Sequence, residues 1–119
     1  TNTLIRFFTN DIPEKAKNVE ELIAHKKNIF IPDVVFPELE YVLTQAYDLS
    51  REKILEAYRF LLAQKSIKTS SYLKKAIEIF ESTNLDMADC IIVAQSIKGK
   101  LATFDKDMLA IKGVNGFWK

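Results

Sequence analysis

The stretch NLDMADCIIVAQSIKGKLATFD, residues 84–105, holds the decision about this fold. Its first part has the apolar pattern of a buried helix ending near Gly99, with two carboxylates, Asp86 and Asp89, one turn apart at the start. Its last part, Leu101-Ala102-Thr103-Phe104, reads as a short strand running into a polar turn, Asp105-Lys106-Asp107. Acids are favoured at a helix N-terminus because the exposed amides there carry partial positive charge. That accounts for Asp86 as a cap. Asp89 is different: one turn on lie Ile92 and Val93, and no Lys or Arg stands one turn away to neutralise it. A carboxylate turned toward an apolar face needs a cation from elsewhere, or an unusual pKa.

Toward the N-terminus the alternation of helix and strand continues. Residues 1–8 are already in helical rhythm. Asp11-Ile12-Pro13-Glu14 offers an N-cap and an early proline for a helix reaching about His25. Ile29-Phe30-Ile31 predicts a short buried strand ended by Pro32, and Asp33 begins an apolar helix to about Ala46. Ser50 is placed to cap a helix with Ile54, Tyr58 and Leu61 on one face, although Lys53 stands where a capping box prefers Glu. Ile67-Lys68-Thr69 predicts a second strand. Leu73, Ala76, Ile77 and Phe80 then form one stripe of a helix, and Val114 to Trp118 predicts a last strand. This order gives an α/β layer structure with a mainly parallel sheet. Ligands bind such sheets beyond the carboxyl ends of the strands, the edge where Asp105 belongs.

A chain of 119 residues with 48% hydrophobic content suits one domain, residues 1–119, with a packed core. Its 17 basic and 16 acidic residues leave a net charge of +1, so a polyanionic partner would be held by a local patch or by metal ions. One cysteine, Cys90, lies inside the apolar helix, and one histidine, His25, ends a charged helix. Together they exclude Cys–His nucleophilic catalysis and zinc sites built from Cys and His. No apolar run approaches membrane-spanning length and no signal-peptide pattern opens the chain, so we expect a cytoplasmic protein with no membrane partner.

Most of the acids read as surface charge: Glu56 has Lys53 and Arg59 within one turn, and Glu78 has Lys74 and Lys75. Glu38 reads otherwise. Val34, Val35, Tyr41 and Val42 surround it at helical spacing, which predicts a core-facing carboxylate. Glu38, Asp89 and Asp105 thus stand out from three separate segments. Convergent carboxylates without Cys or His suit a hard cation, Mg²⁺ or Mn²⁺, and phosphodiester hydrolysis suits that chemistry better than acyl transfer. Scattered caps and surface acids are the competing account, and a glycosidase-type acid pair has little support from these placements.

Four segments together resemble PIN-domain ribonucleases, and in particular the toxin subunits of VapBC-type toxin–antitoxin pairs. They are Thr1-Asn2-Thr3-Leu4-Ile5-Arg6, Ile31-Pro32-Asp33-Val34-Val35 followed by Glu38, Asp89 through Ala94, and Thr103-Phe104-Asp105-Lys106-Asp107. The resemblance implies a three-layer α/β/α fold with a mainly parallel central sheet and a magnesium- or manganese-dependent endoribonuclease. It also implies a cognate antitoxin that occludes the site, and a homodimer. By the same resemblance Glu38, Asp89 and Asp105 are metal ligands, with Asn2 and Thr103 as catalytic helpers. Asp86 and Asp107 read as outer helpers or as plain cap and turn acids. The family pattern has one more aspartate at the end of a first strand, immediately before the position of Thr1. We expect the natural protein to carry that strand, roughly 5–6 further residues. Two other readings stay open: a non-catalytic PIN-like module binding RNA or protein, and a PIN nuclease of RNA processing without an antitoxin.

Overall fold

In a computed structural model, which describes residues 1–26 and 28–118, the chain separates into two units, Thr1–Ser70 and Ser71–Lys119. In the first, helix α1 (Asn2–Thr9) packs against α2 (Pro13–His25), as the two apolar stripes require. Leu4 and Ile5 bury on one side, and Ala16, Val19 and Ile23 on the other. Strand β1 (Ile29–Phe30) follows, then α3 (Val35–Gln45), α4 (Arg51–Ala63) and strand β2 (Ile67–Lys68). The two strands pair in parallel, Ile29 opposite Ile67 and Phe30 opposite Lys68. Phe36, Leu39 and Leu43 of α3 are fully buried, as are Tyr58 and Leu61 of α4. Each such side chain contributes roughly 1.5–3 kcal/mol by leaving water. Tyr58 sits in this core without an orphaned hydroxyl because it donates a hydrogen bond to the Phe36 carbonyl oxygen.

Three expectations for this unit need correction. Asp11 does not cap α2, whose N-cap is Ile12. The Asp11 carboxylate instead accepts from Arg6 (2.7 Å), Thr9 (3.0 Å) and Tyr47 (2.9 Å). Partial desolvation pushes its pKa up, but the Tyr47 and Thr9 hydrogen bonds and the Arg6 charge outweigh this and leave it below the usual value. The strand at Ile29 is not buried throughout, since Phe30 is 60% exposed. Glu38 is exposed rather than core-facing. Its apolar neighbours Val34 and Tyr41 are themselves 62% and 69% exposed, so they mark an outer face of α3, while the Phe36–Leu39–Leu43 stripe turns inward.

The second unit pairs α5 (Leu73–Ser82) with α6 (Met87–Ser96) and ends with the short α7 (Lys106–Leu109). Leu73, Ala76, Ile77 and Phe80 bury as their spacing predicts, against a face of α6 that includes Met87, Cys90, Val93 and Ala94. Leu101 and Gly116 form an isolated parallel bridge, with Leu101 N–H donating to Asn115 O at 2.7 Å and Phe117 N–H donating to Leu101 O at 2.8 Å. The expected strands 101–104 and 114–118 therefore shrink to one bridge. Past Leu101 the backbone finds side-chain partners instead of a ladder: the Asp105 amide donates to Thr103 Oγ1 at 3.1 Å. Gly116 fits here because a Cβ would lie 2.9 Å from Leu109 Cδ2 and 3.0 Å from the Trp118 carbonyl oxygen. Among the described residues, no helix is long and apolar enough to cross a membrane.

Candidate functional site

Asp86 is the N-cap of α6, its side chain accepting from the Asp89 amide at 2.8 Å. This satisfies one of the orphan donors at the helix start and fixes the entry of the chain. Asp89 therefore sits in the first turn, half-buried, between fully buried Cys90 and Val93 on one side and 45% exposed Ile92 on the other. Its pKa is raised from the usual value, first by desolvation and then by the negative charges of Asp86 and Asp105.

Asp105 is the N-cap of α7 rather than part of a free polar turn, which corrects the expectation for residues 105–107. Its Oδ1 accepts from the amides of Asp107 (2.8 Å) and Met108 (3.2 Å). Thr103, half-buried, holds the Asp105 amide through its hydroxyl. The geometry thus joins Thr103 to Asp105 by a hydrogen bond, and sets the negative charges of Asp86 and Asp105 against Asp89.

Asn2 and Glu38 belong to the first unit. Asn2 lies exposed in the first turn of α1 and lines a depression of about 250 Å³ with Thr3, Arg6, Lys15, Asn18 and Val19. Glu38 projects from the first turn of α3, a helix that packs on α1. Among the described residues, no three His, Cys, Asp or Glu side chains gather closely enough to hold a metal ion.

Sequence reasoning passed over the residues beside Asp105. Phe104 is 84% exposed and stacks on Trp118 with ring centroids 4.9 Å apart and planes 7° from parallel. Phe117 meets Trp118 edge-on at 5.4 Å. The available signal was three aromatic residues at the ends of two predicted strands, read only as strand formers.

The model of the PIN domain matches residues 1–114. A VapC ribonuclease of Aquifex aeolicus (strain VF5) is 26% identical over 106 residues, covering 84% of this chain and 76% of that protein. No solved structure matches the chain. A match that runs from Thr1 to Val114, through both units, is decisive for membership: this chain belongs to the PIN domain family, an α/β fold.

Proposed function

We propose that this protein is a metal-dependent endoribonuclease, the toxin of a toxin–antitoxin pair. The observation that carries the reading is the charge cluster of the second unit. Asp89 resists ionisation first because it is partly desolvated and then because of the nearby charges of Asp86 and Asp105. A carboxyl group perturbed by burial together with specific charged neighbours marks a functional-site candidate, and a cation would relieve the repulsion. The PIN family match and the likeness to a VapC ribonuclease support RNA as the polymer cut and a nuclease as the class. They also support treating the two units as one domain spanning residues 1–119.

The donor chemistry fits Mg²⁺ or Mn²⁺. Asp89, Asp105 and Glu38 offer only hard oxygens, and such ions bind through one or two carboxylates while keeping several waters. When bound, the ion supplies positive charge for the phosphate oxygens and a more acidic water. The chain's own residues do the rest. Asp105 is fixed by the amides of α7 and by Thr103, so its carboxylate is oriented before substrate arrives. Asp89 would hold the cation with Asp105, and the positive charge would offset the burial and like charges that oppose its ionisation. For Glu38 on α3 and Asn2 on α1, the roles of metal ligand and polar helper rest on the family likeness alone.

A cognate antitoxin that occludes the site, a homodimer and a cytoplasmic setting belong to the same reading and rest on the likeness to a VapC ribonuclease. The test is Asp89→Asn. RNA cleavage should disappear with the fold intact by circular dichroism. Undiminished, EDTA-sensitive cleavage by that variant would overturn the assignment of Asp89, whereas retained RNA binding without any cleavage by the wild type would favour the binding-module reading.

A further inference from the structure

The Phe104–Trp118 stack is an exposed aromatic surface that the carboxylate chemistry does not use. Two rings 4.9 Å apart and 7° from parallel make a flat, offset-stacked platform, and Phe117 braces Trp118 edge-on. At 84% exposure, Phe104 leaves its outer face in water. Exposed aromatic patches of this kind mark interaction sites. The question is what they receive.

Three observations select an unpaired nucleobase. The first is direction: Leu101 and Gly116 pair in parallel, so Phe104 and Trp118 both leave the carboxyl edge of the pair, where Asp105 follows Phe104 in the chain. The second is composition: the surface is made of ring faces, and every base offers a π-face to match while phosphates stay in water. The third is charge. Residues 98–118 carry four exposed lysines, Lys98, Lys100, Lys106 and Lys112, against two acids, Asp105 and Asp107, a net basic segment suited to a phosphate backbone.

We infer that Phe104 and Trp118 form a stacking platform for an unpaired base of single-stranded RNA, next to the phosphate presented to Asp105. The platform rests on the RNA-cutting reading for its substrate, but its binding role stands apart from cleavage. A base stacked there anchors the strand beside the carboxylates and favours unpaired segments over duplex, whose bases are already stacked.

Trp118 is the one tryptophan of the chain, so its fluorescence reports this surface alone. Wild-type protein in EDTA, where cleavage is suppressed, is titrated with short oligoadenylate and oligouridylate and with a duplex of the two. Single strands should change the Trp118 emission saturably, and the duplex should do so only weakly. Removing Phe104 alone bares the Trp118 face, so the decisive variant is the double Phe104→Ala, Trp118→Ala. Its affinity for fluorescently labelled oligouridylate, read by anisotropy, should fall by about tenfold or more, and Phe104→Tyr should keep wild-type affinity. Unchanged emission on RNA addition, or equal affinity of the double variant, overturns the platform. So does a double variant that keeps its RNA affinity but changes its mass in sedimentation, which would assign the surface to a protein partner. Emission changes and affinity loss without any cleavage by wild type in Mg²⁺ or Mn²⁺ would sink the nuclease reading and leave the platform standing.

Discussion

The backbone amide of Asp89 donates to the carboxylate of Asp86 across 2.8 Å, while the Asp86 charge raises the pKa of the Asp89 side chain. One acid therefore orders the helix and destabilises the charge of the other. Replacing Asp86 separates the two effects. Asp86→Ala should cost about 1 kcal/mol in urea unfolding through loss of the cap, and Asp86→Asn should recover most of it because its carbonyl oxygen still accepts. In both variants the acidic limb of the cleavage–pH profile should move to lower pH, since Asp89 then ionises more easily. A limb that stays in place would mean that Asp86 does not govern Asp89.

Asp89 itself gives a stability prediction with a definite sign. Its folded-state pKa is raised above the ordinary value of 3.8, so the folded chain holds the proton more tightly than the unfolded chain. Stability tied to this group is fullest below the unfolded value and falls as pH rises through the folded one. Asp89→Asn should accordingly be more stable than wild type near neutral pH, with the difference vanishing below about pH 3.8. Thermal melts at several pH values check this, while cleavage in the same variant should drop by about a hundredfold or more.

Metal removal gives the third expectation. EDTA should abolish cleavage, and Mn²⁺ or Mg²⁺ should restore it where Ca²⁺, larger and looser in its coordination, does not. The same ions should raise the melting temperature of the wild type by mass action, about 2.7 kcal/mol of stabilisation at a hundred times the Kd. Asp89→Asn should show almost none of that rise. Equal shifts in both proteins would place the cation elsewhere.

Tyr58→Phe tests the core of the first unit. The ring stays, but the buried hydrogen bond to the Phe36 carbonyl is lost. Unfolding should become easier by about 1–2 kcal/mol in denaturant titrations, with cleavage per folded molecule unchanged.

Much of this fold was legible because helices write their burial in period. The stripes Ile54–Tyr58–Leu61 and Leu73–Ala76–Ile77–Phe80 were read from spacing and are buried. Cys90 was correctly read as core, and Asp86 as a cap. Strands were harder, because two-residue segments such as Ile67–Lys68 carry no periodicity to measure. Glu38 shows the limit most sharply: apolar neighbours at helical spacing indicate a face but not whether that face is covered, and Val34 and Tyr41 are exposed. Asp105 was placed at a strand end by topology, yet its capping role depends on α7, whose four residues are too few to show a stripe. Phe104 and Trp118 were invisible as a pair, since they meet across 14 positions of chain and only the parallel bridge aligns them.

The capping bonds of Asp105 carry a consequence for how this position can drift through evolution. Its Oδ1 serves two amides of α7, a duty that the oxygen of Asn or Ser performs as well. A lineage that abandons cleavage is still pressed to keep an oxygen there, or α7 frays. Retention of a polar residue at 105 among descendants thus records folding as much as chemistry. Asp89 caps no helix, and its burial near like charges works against the folded state. A lineage freed from catalysis should lose Asp89 first, making that position the earlier witness to a dead site.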